Sequence, residues 1–524
     1  LDPSPRCAAL GRIHVITFIL RRLVAAFFIV LGSSFIVYML MANAGDPLAF
    51  TTEIADPTTR AAVRASVTDA LNLDVHPVGR YFMWLGDVLQ GDFGVSARTQ
   101  QPVIDELGSR LMMTLKLVTA ATALSIVVGT SVGIVTALKQ YSGFDYTTTF
   151  FTFVFFSLPV FWVAVILKAI GGIDFNDWLR DGAEFPGWLM ILAGLAAGGI
   201  CFSVAGGPLR RRLTVGALGG GVVAAILAYI SATGWMLDPG LGPIVIAILA
   251  AAIAFGVTGV LAGLGNRKAL QSALTTAAIG VAGWFPLQLV FDHDGMDMWR
   301  LLGMGVVAVA VGAGVGYAYG GFDKGLSART SAVVALLLSA VIFVDRAMQS
   351  WDEYSSSSVI RNRPIKTIGD REGRLEGDFW VITNDTFSHL ILPTMALMLI
   401  SLATYTRYSR ASMLEVLNQD YIRTARAKGL TERTVVVRHG FRNAMIPLAT
   451  IVAFDIGGIL GGAVITETVF EWNAMGRMFQ TGLLSLDPNP VMAFFVVIAI
   501  FAVVANLLAD MLYAVLDPRI RIGS

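Results

Sequence analysis

The residues of this chain that could do chemistry are concentrated between Arg407 and Arg442. That stretch carries Arg407, Arg410, Arg423, Arg426, Lys428, Arg433, Arg438 and Arg442 against only Glu415, Asp420 and Glu432. Such a cluster suits non-covalent work. It could dock a partner protein, or simply answer the anionic face of a bilayer. Covalent machinery is absent from the sequence. No Gly-x-x-x-x-Gly-Lys-Ser/Thr loop is present to cradle a nucleotide. The nearest lookalike, Gly321 to Ser327, lacks the Gly-Lys-Ser/Thr core. His14, His76, His293, His389 and His439 are scattered without metal-ligand spacing, and there is no Gly-x-Ser-x-Gly elbow. No catalytic residue, no metal site and no cofactor bound by this chain are expected.

Two further acids stand out by their surroundings. Asp455 lies inside the apolar run Ala444–Glu467, and Glu467 closes it. A charge at membrane depth is costly and faces a cavity or a partner. Asp455 therefore reads as lining a path, with a structural hydrogen bond as the alternative. Gly457, Gly458, Gly461 and Gly462 give overlapping Gly-x-x-x-Gly spacings, which let a second helix approach backbone to backbone. Lys168 is close enough to a span end to snorkel.

The elements that must position these residues are membrane spans. The chain has 524 residues, of which 55% are hydrophobic and 14% charged. A soluble domain carries about 25% charged residues. Mean hydropathy is +0.69. Disorder, a disulfide scaffold and an ordinary soluble enzyme are excluded, and the net charge of +1 suggests no nucleic-acid partner. Apolar runs of about 20 residues recur throughout, the signature of an all-α polytopic membrane protein. The first run, Ile16–Met41, is followed by Ala42-Asn43-Ala44, which mimics a signal-peptidase site. Its length favours a retained span over a signal peptide. Residues 42–109 read as a small, mostly helical region outside the membrane. Its apolar stripe is Tyr81, Phe82, Trp84, Leu85, Val88 and Leu89.

Two spans follow in residues 110–170, the second with Pro159 at its middle. About six further runs occupy residues 171–385, the last of them, Thr330–Val344, being short. Three more complete residues 386–524. The expected total is about twelve. Charges order them. Leu209–Arg212 and Asn266–Lys268 are basic, whereas Asp174–Glu184 and Asp292–Asp297 are mainly acidic. The positive-inside rule places the basic loops, Arg407–Arg442 and both termini in the cytoplasm.

Within residues 411–442 the sequence orders itself further. Asp420 can cap a helix Tyr421–Lys428. Gly429 fits the position after the last turn, where a positive φ is needed. Thr431 can cap the next helix. Ala425 and Ala427 are small enough to let another protein come close.

These residues also carry a resemblance. Glu415-Val-Leu-Asn-Gln-Asp420-Tyr-Ile-Arg-Thr-Ala425-Arg-Ala-Lys-Gly429 and Arg438-His-Gly-Phe-Arg-Asn443-Ala-Met-Ile-Pro447 resemble the EAA loop of ABC importer permeases. The similarity is to the dipeptide/oligopeptide permeases of B type (DppB/OppB-like). Gly91-Asp-Phe-Gly94-Val-Ser96, Ser157-Leu-Pro159, His389-Leu-Ile-Leu-Pro393, Gly461 to Trp472 and Leu516-Asp-Pro-Arg519 match in family order. Together they cover about residues 16–170 and 386–521. The inserted membrane region, between the third and fourth core spans, departs from the family. Thr424 stands where the motif's name implies Glu.

The resemblance implies a type I ABC importer transmembrane domain with six core spans. It implies coupling to an ATPase through Glu415, Asp420, Tyr421, Arg423, Ala425, Arg426, Ala427, Lys428 and Gly429. It places the translocation path along Ala444–Glu467, for which Asp455, Gly458, Gly462 and Glu467 are the candidates. It implies a second homologous permease (DppC/OppC-like), two ATP-binding subunits that carry ATP and Mg, and an extracytoplasmic substrate-binding protein, in a bacterial inner membrane. A permease for nickel or another small solute, or a stand-alone ion-coupled transporter, are the other readings. The inserted block has almost no mid-span charge, so it reads as lying off the solute path.

Overall fold

The computed structural model describes residues 5–293 and 295–516. Side chains are described from Leu20 onward, except at 294, 322, 450, 453, 454, 456–460, 462 and 508–516. The chain divides into two compact units. One comprises Leu1–Lys168, Ile368–Asp370 and Leu392–Ser524, the other Ala169–Thr367 and Arg371–Ile391.

The first unit opens with α1, Pro5–Ala44, which runs unbroken through Ala42-Asn43-Ala44. Two amphipathic helices follow, α2 (Pro57–Ala70) and α3 (Pro77–Leu89). Each starts at a proline whose missing N–H costs nothing at that position. Asp56 caps α2 by accepting the Thr59 amide at 2.8 Å. His76 caps α3 through Nδ1. Tyr81 and Trp84 of α3 are buried beside Tyr38 and Met492, with Leu85 and Val88 partly covered. Phe82 and Leu89 are exposed, so the real stripe follows helical spacing and excludes them.

Next come α4 (Val103–Leu138), α5 (Gly143–Ser157) and α6 (Val160–Ile166). The expected kinked span at Pro159 is instead a break. The chain bends by 104° between α5 and the helical segment that follows it. The residue before a proline is pushed out of the helical region, and Leu158 is extended at φ −83°, ψ 130°.

A π-helical turn, Leu167–Asp174, leads into the second unit and α7 (Phe175–Arg180). Its long helices are α8 (Gly187–Val204), α9 (Leu209–Thr233), α10 (Gly242–Leu261), α11 (Arg267–Phe291), α12 (Met298–Tyr319) and α13 (Lys324–Gln349). The short α14 (Trp351–Ser356) follows. α8 and α9 meet backbone to backbone, where a Cβ on Gly198 would lie 2.9 Å from the Gly216 carbonyl oxygen. α10, α11 and α13 enclose a core that includes Ile246, Ala250, Ala277, Val334 and Leu338.

α13 runs past the expected end at Val344 because the charge that follows is fully paired. Asp345 has no solvent exposure. One oxygen accepts the amides of Leu241 (2.8 Å) and Gly242 (3.2 Å), the other Trp284 Nε1 and Gln349 Nε2, both at 2.8 Å. A carboxylate with every lone pair engaged does not end a membrane helix.

α15 (Phe379–Leu417) belongs to the second unit up to Ile391 and to the first from Leu392. The first unit then completes with α16 (Asp420–Ala427), the single turn α17 (Glu432–Thr434), a π-helical turn Val435–Gly440, α18 (Phe441–Val469), α19 (Met475–Leu484) and α20 (Pro488–Leu516). Among the described residues, ten helices are long and apolar enough to cross a membrane, and the bent pair around Pro159 makes eleven. The expected run Ala444–Glu467 lies on α18, part of whose side chains fall outside the described set.

Candidate functional site

The loop helix is α16, one residue earlier than expected. Asp420 is its first residue, and Gln419 holds the capping position without a side-chain bond. Asp420 acts on the helix dipole instead of capping it, and its carboxylate lies 3.6 Å from Arg423, both exposed. The C-terminal end fits the expectation closely. Gly429 has φ +78°. Its amide donates to the Arg426 carbonyl (2.9 Å) and the Leu430 amide donates to Ala425 (3.3 Å). These two bonds are the Schellman pattern, which satisfies carbonyls a helix end otherwise leaves open. Thr431 caps α17 through the Thr434 amide.

α16 is fixed to the chain's own helices. Ile422 and Ala425 are buried against Val435, with Val416 and Leu417 of α15 alongside. Tyr421 accepts from Asn443 Nδ2 at 2.8 Å, which ties the helix to the start of α18. Arg426 grips Glu432 with two nitrogens, at 3.1 and 2.6 Å. That contact holds the Glu432 carboxyl below its usual range, and the Arg426 hydrogen bond is the main cause. Both partners are largely exposed, so the pair contributes at most about 1 kcal/mol.

This geometry corrects one expectation. Ala425 faces inward and is not part of a free face. The free face carries Tyr421, Arg423, Thr424, Ala427 and Lys428, with Glu415 exposed on the last turn of α15.

Sequence reasoning missed a bidentate ion pair near this loop. Arg410 Nε and Nη2 each sit 2.9 Å from an oxygen of Asp145. The Asp145 side chain is 4% exposed. Arg410 looked like one cation among eight. Its partner lies 265 residues away at the start of α5, and no local pattern announces it.

The candidate path residues sit on α18. Asp455 is partly buried and interacts with Tyr405, whose buried hydroxyl has no well-formed hydrogen bond. The side-chain environment of Gly458 and Gly462 lies outside the described residues. Gly461 is exposed, with open space where a Cβ would stand.

Glu467 is the last of the path candidates along α18. It is fully buried and acts as a strut. One carboxylate oxygen accepts from Thr114 Oγ1 of α4 at 2.8 Å and the other from the Gly476 amide of α19 at 2.6 Å. Thr114 in turn accepts the Met475 amide at 3.0 Å. Three helices are thereby tied at one point. Gly476 is required there, because a Cβ would lie 2.6 Å from Val464 Cα. Gly476→Ala should cost about 1–3 kcal/mol through overpacking. Thermal unfolding in detergent checks this. An unchanged melting temperature would remove the strut from the account.

Lys168 donates to the Val469 carbonyl at 3.0 Å, so its charge faces the C-terminal end of α18. Beside the strut a polar cleft of about 280 Å³ is lined by Arg98, Glu106, Arg110, Asn473, Arg477 and Asp487.

Asp487 also explains the segment Gly91–Ser96. Ser96 Oγ donates to Asp487 at 2.7 Å, and Asn489 Nδ2 donates to the Val95 carbonyl at 2.8 Å. Gly94, at φ +80°, leaves room for Asn489. Burial pushes the Asp487 carboxyl above its ordinary range, with the Ser96 bond opposing. The folded state therefore binds this proton more tightly than the unfolded chain. Its contribution is full below the ordinary carboxylate value of about 3.9 and is lost as pH rises through the raised folded value. Asp487→Asn should flatten unfolding temperature against pH over that window. An unaltered profile would exclude Asp487 as its source.

The described residues thus give long apolar helices and, between α15 and α18, a packed cationic loop helix. Comparison with known proteins gives the family. Residues 129–522 match the binding-protein-dependent transport system inner membrane component family, and the chain belongs to it. It is 38% identical over 226 residues to the oligopeptide transport system permease protein OppB of Mycobacterium tuberculosis H37Rv, covering 43% of this chain and 70% of that protein. It is 47% identical over 137 residues to the oligopeptide transport system permease protein AppB of Bacillus subtilis 168, or 26% of this chain and 43% of the relative. The dipeptide transport system permease protein DppB of Escherichia coli K12 matches at 46% over 137 residues, 26% of this chain and 40% of the relative. The protein is a permease subunit of an ABC transporter and a multi-pass inner-membrane protein.

Proposed function

We propose that this chain is the membrane-spanning permease of a bacterial ATP-driven importer of di- or oligopeptides, working by alternating access. It pairs with a second homologous permease, two ATP-binding subunits and an extracytoplasmic substrate-binding protein. ATP and Mg are held by the ATP-binding subunits. The loop with α16 and both termini face the cytoplasm.

The observation that carries this reading is the build of α16. Its inner face is packed onto α15 and the Val435 turn, so a force on its free face reaches two long helices. A ligand can shift a conformational equilibrium only through contacts that differ between the states. Nucleotide-driven movement of an ATPase against α16 would supply such a difference. The names of the relatives support peptides as the cargo.

The test is uptake of labelled peptides by proteoliposomes holding the purified complex. Uptake should require ATP inside the vesicle compartment that faces α16, together with the binding protein. Uptake by this chain alone, driven by an ion gradient, would sink the proposal.

A further inference from the structure

The second unit contains a groove of about 990 Å³ between α11, α12 and α13. Its wall is apolar except for Thr276 and Ser339. The three helices are each long and apolar enough to cross a membrane, so the groove lies at bilayer depth. It has a closed end. A Cβ on Gly312 of α12 would lie 2.7 Å from the Ser331 carbonyl oxygen of α13, so the two helices touch there. The groove occupies the stretch beyond, from Val311 back to Leu301. At ~1.5 Å per residue that is about 15 Å, half of a hydrocarbon core of ~30 Å. Its length is that of one leaflet.

Glycines keep it open. Gly283, Gly303 and Gly305 line the groove, and a Cβ on any of them would meet nothing within 4 Å. All three have ordinary helical backbone, where glycine is a poorer choice than alanine. What they provide is space. The mouth has interfacial character. Trp299 is 80% exposed and Arg300 is exposed, immediately before the first lining residue of α12. Tryptophan favours the headgroup level, and a cation there attracts lipid phosphate.

We propose that this groove holds the acyl chains of a single membrane phospholipid, in the leaflet on which Trp299 and Arg300 lie, with its phosphate against Arg300. The inference concerns the inserted unit and does not depend on the transported solute.

The test places the assembled transporter in nanodiscs with phosphatidylglycerol carrying a diazirine in its acyl chain. Irradiation should give adducts on Met304, Ala308 and Ser339, and these should saturate against unlabelled phosphatidylglycerol. Gly305→Phe and Gly283→Phe fill the space and should cut labelling by about tenfold, a difference of ~1.4 kcal/mol in affinity. Gly314→Phe is the control, since Gly314 is exposed, off the groove and equally unobstructed. It should label like the wild type. Arg300→Gln should raise the lipid concentration needed for half-labelling. Labelling that does not saturate, that spreads evenly over α8, α9 and α12, or that persists in Gly305→Phe protein melting like the wild type would overturn the proposal. Stronger capture of a diazirine-labelled free fatty acid would do so too. If Gly305→Phe does not assemble, Gly283→Phe and the saturation measurement decide.

Discussion

Arg410→Leu should destabilise the first unit by about 3–5 kcal/mol, the usual result of removing one partner from a buried ion pair. Asp145 would keep its hydrogen bond from the Tyr141 amide at 3.0 Å but lose both guanidinium contacts. The Arg410 side chain is 30% exposed, so water screens part of the loss and the lower end of the range is expected. Asp145→Asn should be milder, because a neutral amide needs no counter-charge. The double variant Arg410→Leu/Asp145→Leu should recover much of the single-variant loss, since neither charge is then stranded. Thermal melts of the purified transporter measure all three. If the double variant is as unstable as the two losses added together, the residues act independently and the pair is not a unit.

Most of the helical frame is legible in the chain because apolar length and charge alternation are local properties. α16 is legible for the same reason. A glycine after a short polar helix, with threonine two residues on, is a boundary written in adjacent residues. What stays hidden depends on partners distant in sequence. Asp345 looks like the end of a span, and only Leu241, Gly242, Trp284 and Gln349 make it internal. Ala425 and Ala427 look equivalent, yet the burial of Ile422 and Val435 turns one inward and leaves the other free. Glu467 looks only like the end of an apolar run, and Thr114 and Gly476 converge on it from distant positions. Pro159 signals a disturbance, while its size, 104°, is set by the extended Leu158 before it. Among the candidates for the path, Asp455 has a neighbour in Tyr405, and a single sequence contains nothing that pairs them.

Gly429→Val should uncouple ATP hydrolysis from uptake while leaving the bundle folded. The glycine stands at φ +78°, and a Cβ there would meet no atom within 4 Å. The cost is therefore purely conformational. A left-handed backbone costs a non-glycine residue about 1–2 kcal/mol, and β-branching adds to it. The strain is relieved by giving up the two closing bonds, from Gly429 to Arg426 and from Leu430 to Ala425. The last turn of α16 then frays, and Glu432 moves away from Arg426. Asparagine tolerates this region best after glycine, so uptake per ATP should fall in the order Gly, Asn, Ala, Val. A second variant probes the free face without touching the fold. Ala427→Trp adds bulk at an exposed position, whereas tryptophan at Ala425 would disrupt the packing on Val435. Both Gly429→Val and Ala427→Trp should weaken ATPase retention or leave hydrolysis unlinked to transport in proteoliposomes. If both keep wild-type uptake per ATP, α16 is not the lever, and the loop reverts to a solvated basic connector whose ordered ends serve only its own stability.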